Sequence, residues 1–359
     1  MAGRAPSFWW QPRSTRSRLL EPLAMAYGAA ARRNLLHGER AAFDVPVLCI
    51  GNFTAGGGGK TPTALALGLA ALALGRRPGY VSRGHGRRRG DPAIVEPNRH
   101  TVREVGDEPL LLARVAPTAV AANRAAALRL LLDQRDVDFV IMDDGFQSQR
   151  LLIDYALIAL DTRRGIGNGH VIPAGPLRAP LIDQVRAADA LLVIGAGAGP
   201  DAGQGDGRID GHIEEPGGPV RMMARAGRAI HAARLVPKSR QILFGERLLA
   251  FAGIADPNKF YASLEELGAE VAVRRDFPDH HVFSDDEIYD LTETAAKETL
   301  ILATTAKDAV RLATGSEAAR EFARNCAVLD VALEFASPFL GQRIVMETLA
   351  AFERRRWRR

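Results

Sequence analysis

The chain has 359 residues, 47% hydrophobic and 25% charged, with a formal charge of +5. This composition can fill a real core and excludes a largely disordered chain, and the length suggests one large domain plus a smaller one. Two cysteines far apart in sequence, Cys49 and Cys326, make neither a disulfide framework nor a zinc site. Cys49 lies in an apolar run and reads as a buried small hydrophobe, in keeping with a reducing compartment.

The N-terminus carries Phe8-Trp9-Trp10 among Arg4, Arg13, Arg16 and Arg18. No convincing secretory signal follows. The stretch 19–36 is partly apolar, but Glu21, Arg32 and Arg33 interrupt it. It is too broken for a spanning helix, which needs about 20 apolar residues. Leu19, Leu20, Leu23, Ala24 and Tyr27 follow helical spacing, which fits either an interfacial amphipathic helix or an ordinary helix packed on a core.

Alternating strands and helices come next. The pattern predicts strands at 45–50, 79–82, 117–121, 138–142, 155–160 and 190–194. It predicts helices at 61–74 and 122–134, and a helix start within 105–114. This is the rhythm of a parallel sheet covered by helices. The glycine-rich segment 195–218 reads as a loop excursion. A smaller α/β unit follows, with strands near 249–253, 271–273 and 300–304 and helices at 259–267 and 284–297. A terminal helix is predicted over 339–355. The expected organisation is a membrane-associated segment at 1–40, a phosphate-loop domain at 41–235, a smaller α/β domain at 236–335 and a C-terminal helix at 336–359 that packs back on the larger domain.

The most informative motif follows the first buried strand. It runs Thr54-Ala55-Gly56-Gly57-Gly58-Gly59-Lys60-Thr61 and opens a helix. Glycines let backbone N–H groups approach phosphate oxygens, and the helix N-terminus adds partial positive charge. Lys60 is placed to reach the β- and γ-phosphates, and the Thr61 hydroxyl to bind Mg²⁺. Thr54 stands where the strict pattern has glycine. A second element, Asp143-Asp144-Gly145, closes the apolar strand at 138–142. A carboxylate there can hold Mg²⁺ directly or through water. One of the two acids is expected to serve the metal and the other to orient a neighbour. Asn258-Lys259-Phe260-Tyr261 lacks the aspartate of a guanine-reading element, and Thr305-Ala306-Lys307-Asp308 has the wrong spacing. The nucleotide is therefore expected to be ATP.

Further runs occur in order: Ser82-Arg83-Gly84-x-Gly86, Gly106-Asp107-Glu108-Pro109, Asp143-Asp144-Gly145-Phe146-Gln147, Asp161 with Gly167-Asn168-Gly169, and Pro173-Ala174-Gly175-Pro176-Leu177-Arg178. Gly253-Ile254, Phe277-x-Asp279-His280 and Lys307-Asp308 complete the series. Taken together, and spanning nearly the whole chain, they resemble the tetraacyldisaccharide 4′-kinase family. Ala306 departs from it, standing where the family usually carries Glu.

The resemblance implies transfer of the γ-phosphate of ATP to the 4′-hydroxyl of a tetraacyldisaccharide 1-phosphate in lipid A biosynthesis. It also implies a site on the cytoplasmic face of the bacterial inner membrane and two α/β domains joined by a two-stranded linker. Asp107 matches the family's catalytic acid and His280 the histidine of its Asp-His pair. The implied dyad would join only when the domains close. Glu108 is a candidate aid to metal or substrate, and Arg83 and Arg178 are candidate phosphate clamps. A monomer is expected, with neither nucleic acid nor an obligate protein partner. The rival reading is a phosphate-loop NTPase of the metal-insertion or partner-switching class.

Overall fold

Apolar runs form strands and alanine- and leucine-rich runs form helices in the computed structural model. It describes all residues except 1–4, 13, 57, 88–89, 149, 196–216, 239–242 and 359. A 3₁₀ turn at Ser7–Trp10 precedes helix α1 (Thr15–His37). Strand β1 (Val47–Gly51) leads through the glycine loop into α2 (Lys60–Ala73). Then come β2 (Pro78–Ser82), β3 (Ala93–Ile94), α3 (Val102–Val105), α4 (Asp107–Leu112), β4 (Thr118–Val120) and α5 (Arg124–Gln134). The next stretch holds β5 (Phe139–Asp143), β6 (Tyr155–Asp161), α6 (Leu181–Ala187), β7 (Ala190–Ile194), α7 (Gly217–Arg225) and β8 (Ala229–Pro237). Most of the expected loop excursion lies outside the described residues, and its end opens α7.

A second group follows: β9 (Arg247–Ala252), α8 (Pro257–Glu266), β10 (Glu270–Asp276), α9 (Asp285–Glu298), β11 (Ile301–Thr305), α10 (Ala306–Ala313), α11 (Glu317–Arg324) and β12 (Ala327–Leu329). Strand β13 (Val331–Phe335) and helix α12 (Leu340–Arg356) end the chain.

Nine strands form the larger sheet in the order β13-β8-β7-β6-β1-β5-β2-β4-β3. All neighbours are parallel except the edge pairs β13/β8 and β3/β4. Successive side chains of a strand face opposite layers, and both layers are dry. Leu48 and Ile50 pack with Ala64 and Leu67 of α2 and Ile344 of α12. Val47 and Cys49 pack with Val140, Met142 and Leu128 on the other face. Burial on both sides explains why these strands read as continuous apolar runs. The order changes direction at β1, so β1 ends in the crevice where such sheets bind ligands.

The second sheet has the parallel order β10-β9-β11-β12. Helix α8 covers one face through Phe260, Tyr261 and Leu264. Helices α9 and α11 cover the other through Ile288, Leu291 and Phe322. The chain enters through β8 and returns through β13, two antiparallel strands closed at the tip by Lys238 and Asp330 (Nζ–Oδ2 2.8 Å). Helix α12 then packs back on α2, and Arg355 Nε pairs with the buried Asp154 at 2.7 Å.

Helix α1 touches the rest through one narrow stripe, Ser17, Ala24, Gly28 and Leu35. Leu19, Leu23, Met25 and Tyr27 are exposed. Ala24 therefore belongs to the inward stripe, not to the apolar set of Leu19, Leu23 and Tyr27. Among the described residues no helix is long and apolar enough to cross a membrane.

Candidate active site

The glycine loop turns into α2 at Gly59, whose φ of +79° is a left-handed backbone that favours glycine. A Cβ there would lie 2.7 Å from Ile194 of β7. Thr54 carries no positive φ, which explains why a threonine is tolerated there. Its amide donates to Asn52 Oδ1 at 3.0 Å. Gln147 and Gln184 brace the entry by donating to the Asn52 and Phe53 carbonyls. Ala55 donates its amide to Pro176 O. Gly57 lies outside the described residues. Lys60 is buried, and its Nζ curls back over the loop to Gly56 O at 3.4 Å.

Strand β5 runs beside β1 and delivers its last residue, Asp143, to the loop. Asp143 Oδ2 lies 3.5 Å from Thr61 Oγ1. Its Oδ1 is buried with no hydrogen-bond partner among the described residues. Burial, and then the nearby charges of Glu108 and Asp144, push its carboxyl up to about 7. An orphaned carboxylate oxygen beside a threonine hydroxyl is a donor set that fits Mg²⁺, a hard cation that takes few protein oxygens and completes its shell with water and phosphate.

The strand does not continue through Asp144, which adopts φ 52°. The pair is therefore split by a left-handed turn and not by strand alternation. Asp144 is bound in a fork by Arg178 (Nη1–Oδ1 2.7 Å, Nη2–Oδ2 3.0 Å), with Lys60 Nζ 3.8 Å from Oδ1. Burial opposes its charge, but Lys60 and Arg178 outweigh that and hold the carboxyl well below the usual range. Asp143 is thus the acid that faces Thr61, and Asp144 orients the two cations. Arg178 has its fork occupied by this carboxylate. Arg83 instead is exposed and shares a shallow cleft with Arg124, Ser148 and Arg150.

Across the cleft, α4 starts abruptly after Gly106, where φ is +93° and a Cβ would lie 2.9 Å from His85 O. This kink puts Asp107 at the first helical position, almost fully buried. Its Oδ2 accepts from His280 Nδ1 at 3.0 Å and from Arg311 Nε at 2.9 Å, and Arg311 Nη2 also donates to it. Its Oδ1 accepts from the Glu108 amide at 2.8 Å. His280 and Arg311 belong to the second sheet's group, so the cluster joins the two units. Lys307 of α10 pairs with Glu108 in the same way. His280 holds a left-handed φ of 59°, its amide donates to Gly253 O, and its ring tilts over His85 at 4.7 Å. A non-glycine residue is uncommon in that region, and the bond to Gly253 O holds His280 there. Its neighbour His281 bonds Glu287 and stacks on Phe277, outside the cluster.

Arg311 is the residue that sequence reasoning missed. It donates through Nη1 to Asp308 Oδ1 and to Gly253 O, both at 2.6 Å. The spacing Lys307-Asp308-x-x-Arg311 on one helix face was the available signal.

Burial opposes the charges of Asp107 and His280, yet their mutual hydrogen bond outweighs it. With the Arg311 charge it holds the Asp107 carboxyl low, and the Asp107 charge raises His280 above its ordinary value. A raised imidazole value means that the stabilisation is complete below about pH 6.5 and is lost as pH rises through the folded-state value. His280→Gln should therefore flatten the loss of thermal stability above about pH 6.5. Melting curves between pH 5.5 and 8.5 test this, and unchanged pH dependence would rule it out.

The family model described as tetraacyldisaccharide-1-P 4′-kinase matches residues 16–348. The chain is 46% identical over 358 residues to a tetraacyldisaccharide 4′-kinase of Sinorhizobium fredii, covering 100% of this chain and 99% of that one. It is 50% identical over 335 residues to a Brucella anthropi protein of the same name, covering 93% of each. Its fold matches a solved structure of LpxK from Aquifex aeolicus, described as an apo form in complex with ATP. The TM-score is 0.69 at 24% identity, covering 94% of this chain and 99% of that one. A glycine loop opening a helix, an acid on the adjacent strand and a carboxylate–imidazole pair across the cleft thus occur in a chain that belongs to the tetraacyldisaccharide-1-P 4′-kinase family.

Proposed function

We propose that this chain transfers the γ-phosphate of ATP to the 4′-hydroxyl of a tetraacyldisaccharide 1-phosphate, the reaction its family is named for. The observation that carries the reading is the Asp107–His280 pair, built from two separate units, with the adjoining Glu108 within electrostatic reach of Lys60 in the glycine loop. Thr54 to Thr61 would cradle the phosphates, with Lys60 on the β- and γ-oxygens. Thr61 and Asp143 would hold Mg²⁺, which when bound supplies neutralisation of charge on the β- and γ-phosphates.

A sugar hydroxyl is a poor nucleophile, and a carboxylate that accepts its proton as the new bond forms is the usual kinase solution. Asp107 Oδ1, bonded among the described residues only to the Glu108 amide, keeps a lone pair for that proton. His280 and Arg311 fix the other oxygen. Because α10 covers Asp107, the hydroxyl reaches it only when the units part and close again, which limits wasteful hydrolysis. Glu108, tied to Lys307, supports the closed cleft. Arg83 serves as a phosphate clamp beside Arg124 and Arg150, while Arg178 acts through Asp144. The metal-insertion or partner-switching alternative is not favoured by the family membership.

The direct test is transfer of labelled γ-phosphate from Mg-ATP into tetraacyldisaccharide 1-phosphate in detergent micelles. Labelled lipid is expected. ATP hydrolysis without labelled lipid would sink the reading.

The exposed apolar stripe of α1, with Arg16 and Arg18 beside it, supports peripheral attachment to a membrane, which the family reading puts at the cytoplasmic face of the inner membrane; Trp9 is buried, its indole donating to Pro173 O, and takes no part in that surface. The enzyme would act there as a monomer on a lipid it does not extract. The double change Leu19→Glu with Leu23→Glu should weaken binding to anionic vesicles at least about tenfold. It should leave the melting temperature unchanged, since both side chains are exposed. Vesicle co-sedimentation at equal salt checks this, and unchanged binding would rule it out.

A further inference from the structure

The loop after β6 holds an arginine, Arg164, on the far side of the glycine loop's strand from Asp143. Strand β6 is the other neighbour of β1, so its end lies beside the phosphate loop. Arg164, three residues past Asp161, turns back toward that loop. A Cβ placed on Gly56 would lie 3.9 Å from Arg164 Nη1. Lys60 Nζ reaches the carbonyl of the same glycine at 3.4 Å. Two cations therefore converge on Gly56, and one of them is the lysine that handles the β- and γ-phosphates in such loops.

The rest of the guanidinium is fixed from three sides. Its Nε pairs with Asp256 Oδ2 at 3.3 Å. Its Nη2 donates to Ala255 O at 2.7 Å. Its face lies 5.2 Å from the centre of the Trp10 ring. Nη1 makes neither a hydrogen bond nor an ion pair among the described residues. Asp256 and Ala255 belong to the unit that brings His280 to Asp107. Closure from the acceptor side thus also sets Arg164, and a free N–H of a pre-oriented fork is left at the glycine loop.

We propose that Arg164 binds the γ-phosphate of the nucleotide through Nη1, positioned there by Asp256 and Trp10. This assignment rests on ATP as the phosphate donor. A charge-assisted contact to the transferred group favours the nucleotide that still carries it, and it strengthens as charge spreads over the phosphoryl oxygens. A residue that only ties the two units together would not distinguish ATP from ADP.

The test measures Mg²⁺-dependent binding of a non-hydrolysable ATP analogue and of ADP, by displacement of a fluorescent nucleotide, in the full chain. For Arg164→Ala the analogue is expected to bind at least about tenfold more weakly, with ADP changed less than about twofold. Arg164→Gln, which keeps a polar but shorter and uncharged side chain, should show the same selectivity, so the answer does not hang on one variant's folding. Asp256→Asn should reproduce only a part of it.

Equal losses for both nucleotides, or no loss in either arginine variant, would overturn the assignment alone. Full reproduction of the selectivity by Asp256→Asn would make Arg164 a strut between the units and overturn it too. Failure of the unchanged chain to bind either nucleotide would overturn the ATP reading and the assignment with it.

Discussion

Asp107→Asn is expected to lower kcat by about three to four orders of magnitude while leaving ATP binding nearly unchanged. The substitution keeps the shape of the side chain and an oxygen for the Glu108 amide. It removes the charge that accepts the hydroxyl proton. Among the described residues no hydrogen bond or ion pair joins Asp107 to the glycine loop, so the nucleotide should not register the change. His280→Gln should cost less, about a hundredfold, because it removes only the group that orients and polarises the carboxylate. Steady-state rates at saturating lipid and ATP check both. A variant at position 107 that keeps more than a tenth of the wild-type rate would remove Asp107 as the base.

A second outcome has its own structural motive. The Asp107 side chain is only 1% exposed, whereas that of His280 is 18% exposed and turns Nε2 away from the pair. If both variants lose rate equally, the accepting atom is His280 Nε2, with Asp107 fixing the ring behind it.

Much of the fold was legible because its causes are local. The strand before the glycine loop, the helix after it and the acid at the end of β5 each follow from spacing within about a dozen residues. Burial on both faces turned the central strands into unbroken apolar runs. Strands β8 and β13 were not legible. Their residues are mostly half-exposed, without the alternation or continuity that marks a strand, and they pair across about a hundred positions. The expected boundary at 235/236 therefore falls inside β8. Helix α6, a short piece after Pro180, carried too few turns to show a period. In the candidate site, the sequence showed that the glycine loop opens a helix and that two acids end a neighbouring strand, and the structure brings them together. Which acid faces Thr61 was not legible, because Arg178 and the left-handed turn at Asp144 decide it. The pairing of Asp107 with His280 came from resemblance, since 173 positions separate them and no periodicity links them.

Arg311 shows the same limit, and it carries the second large effect. Its side chain is 1% exposed, between Asp107 at 1% and Asp308 at 0%. One buried cation compensates two buried carboxylates from different units. Asp308 is held further by Thr305 Oγ1 at 2.6 Å and by the Gly253 amide. Burial nonetheless raises its carboxyl value, with the Arg311 charge acting against that rise. Arg311→Met keeps much of the volume and removes the charge. Both carboxylates would then be left in low dielectric with too few donors. A loss of about 3–5 kcal/mol is expected, the usual cost of removing one partner of a buried pair.

Adding Asp308→Asn should restore part of that loss, because the neutral amide no longer needs the cation. Denaturant unfolding of the single and double variants measures this, and a loss below about 1 kcal/mol for Arg311→Met would refute the compensating role.

The same substitution has a kinetic signature. Arg311 is one of the groups that hold the Asp107 carboxyl low, so its removal raises that value. The acid limb of the kcat profile should then move to higher pH, while enough protein remains folded to measure it. A rate loss with an unmoved acid limb would mean that Arg311 serves the docking of the two units and not the charge state of Asp107.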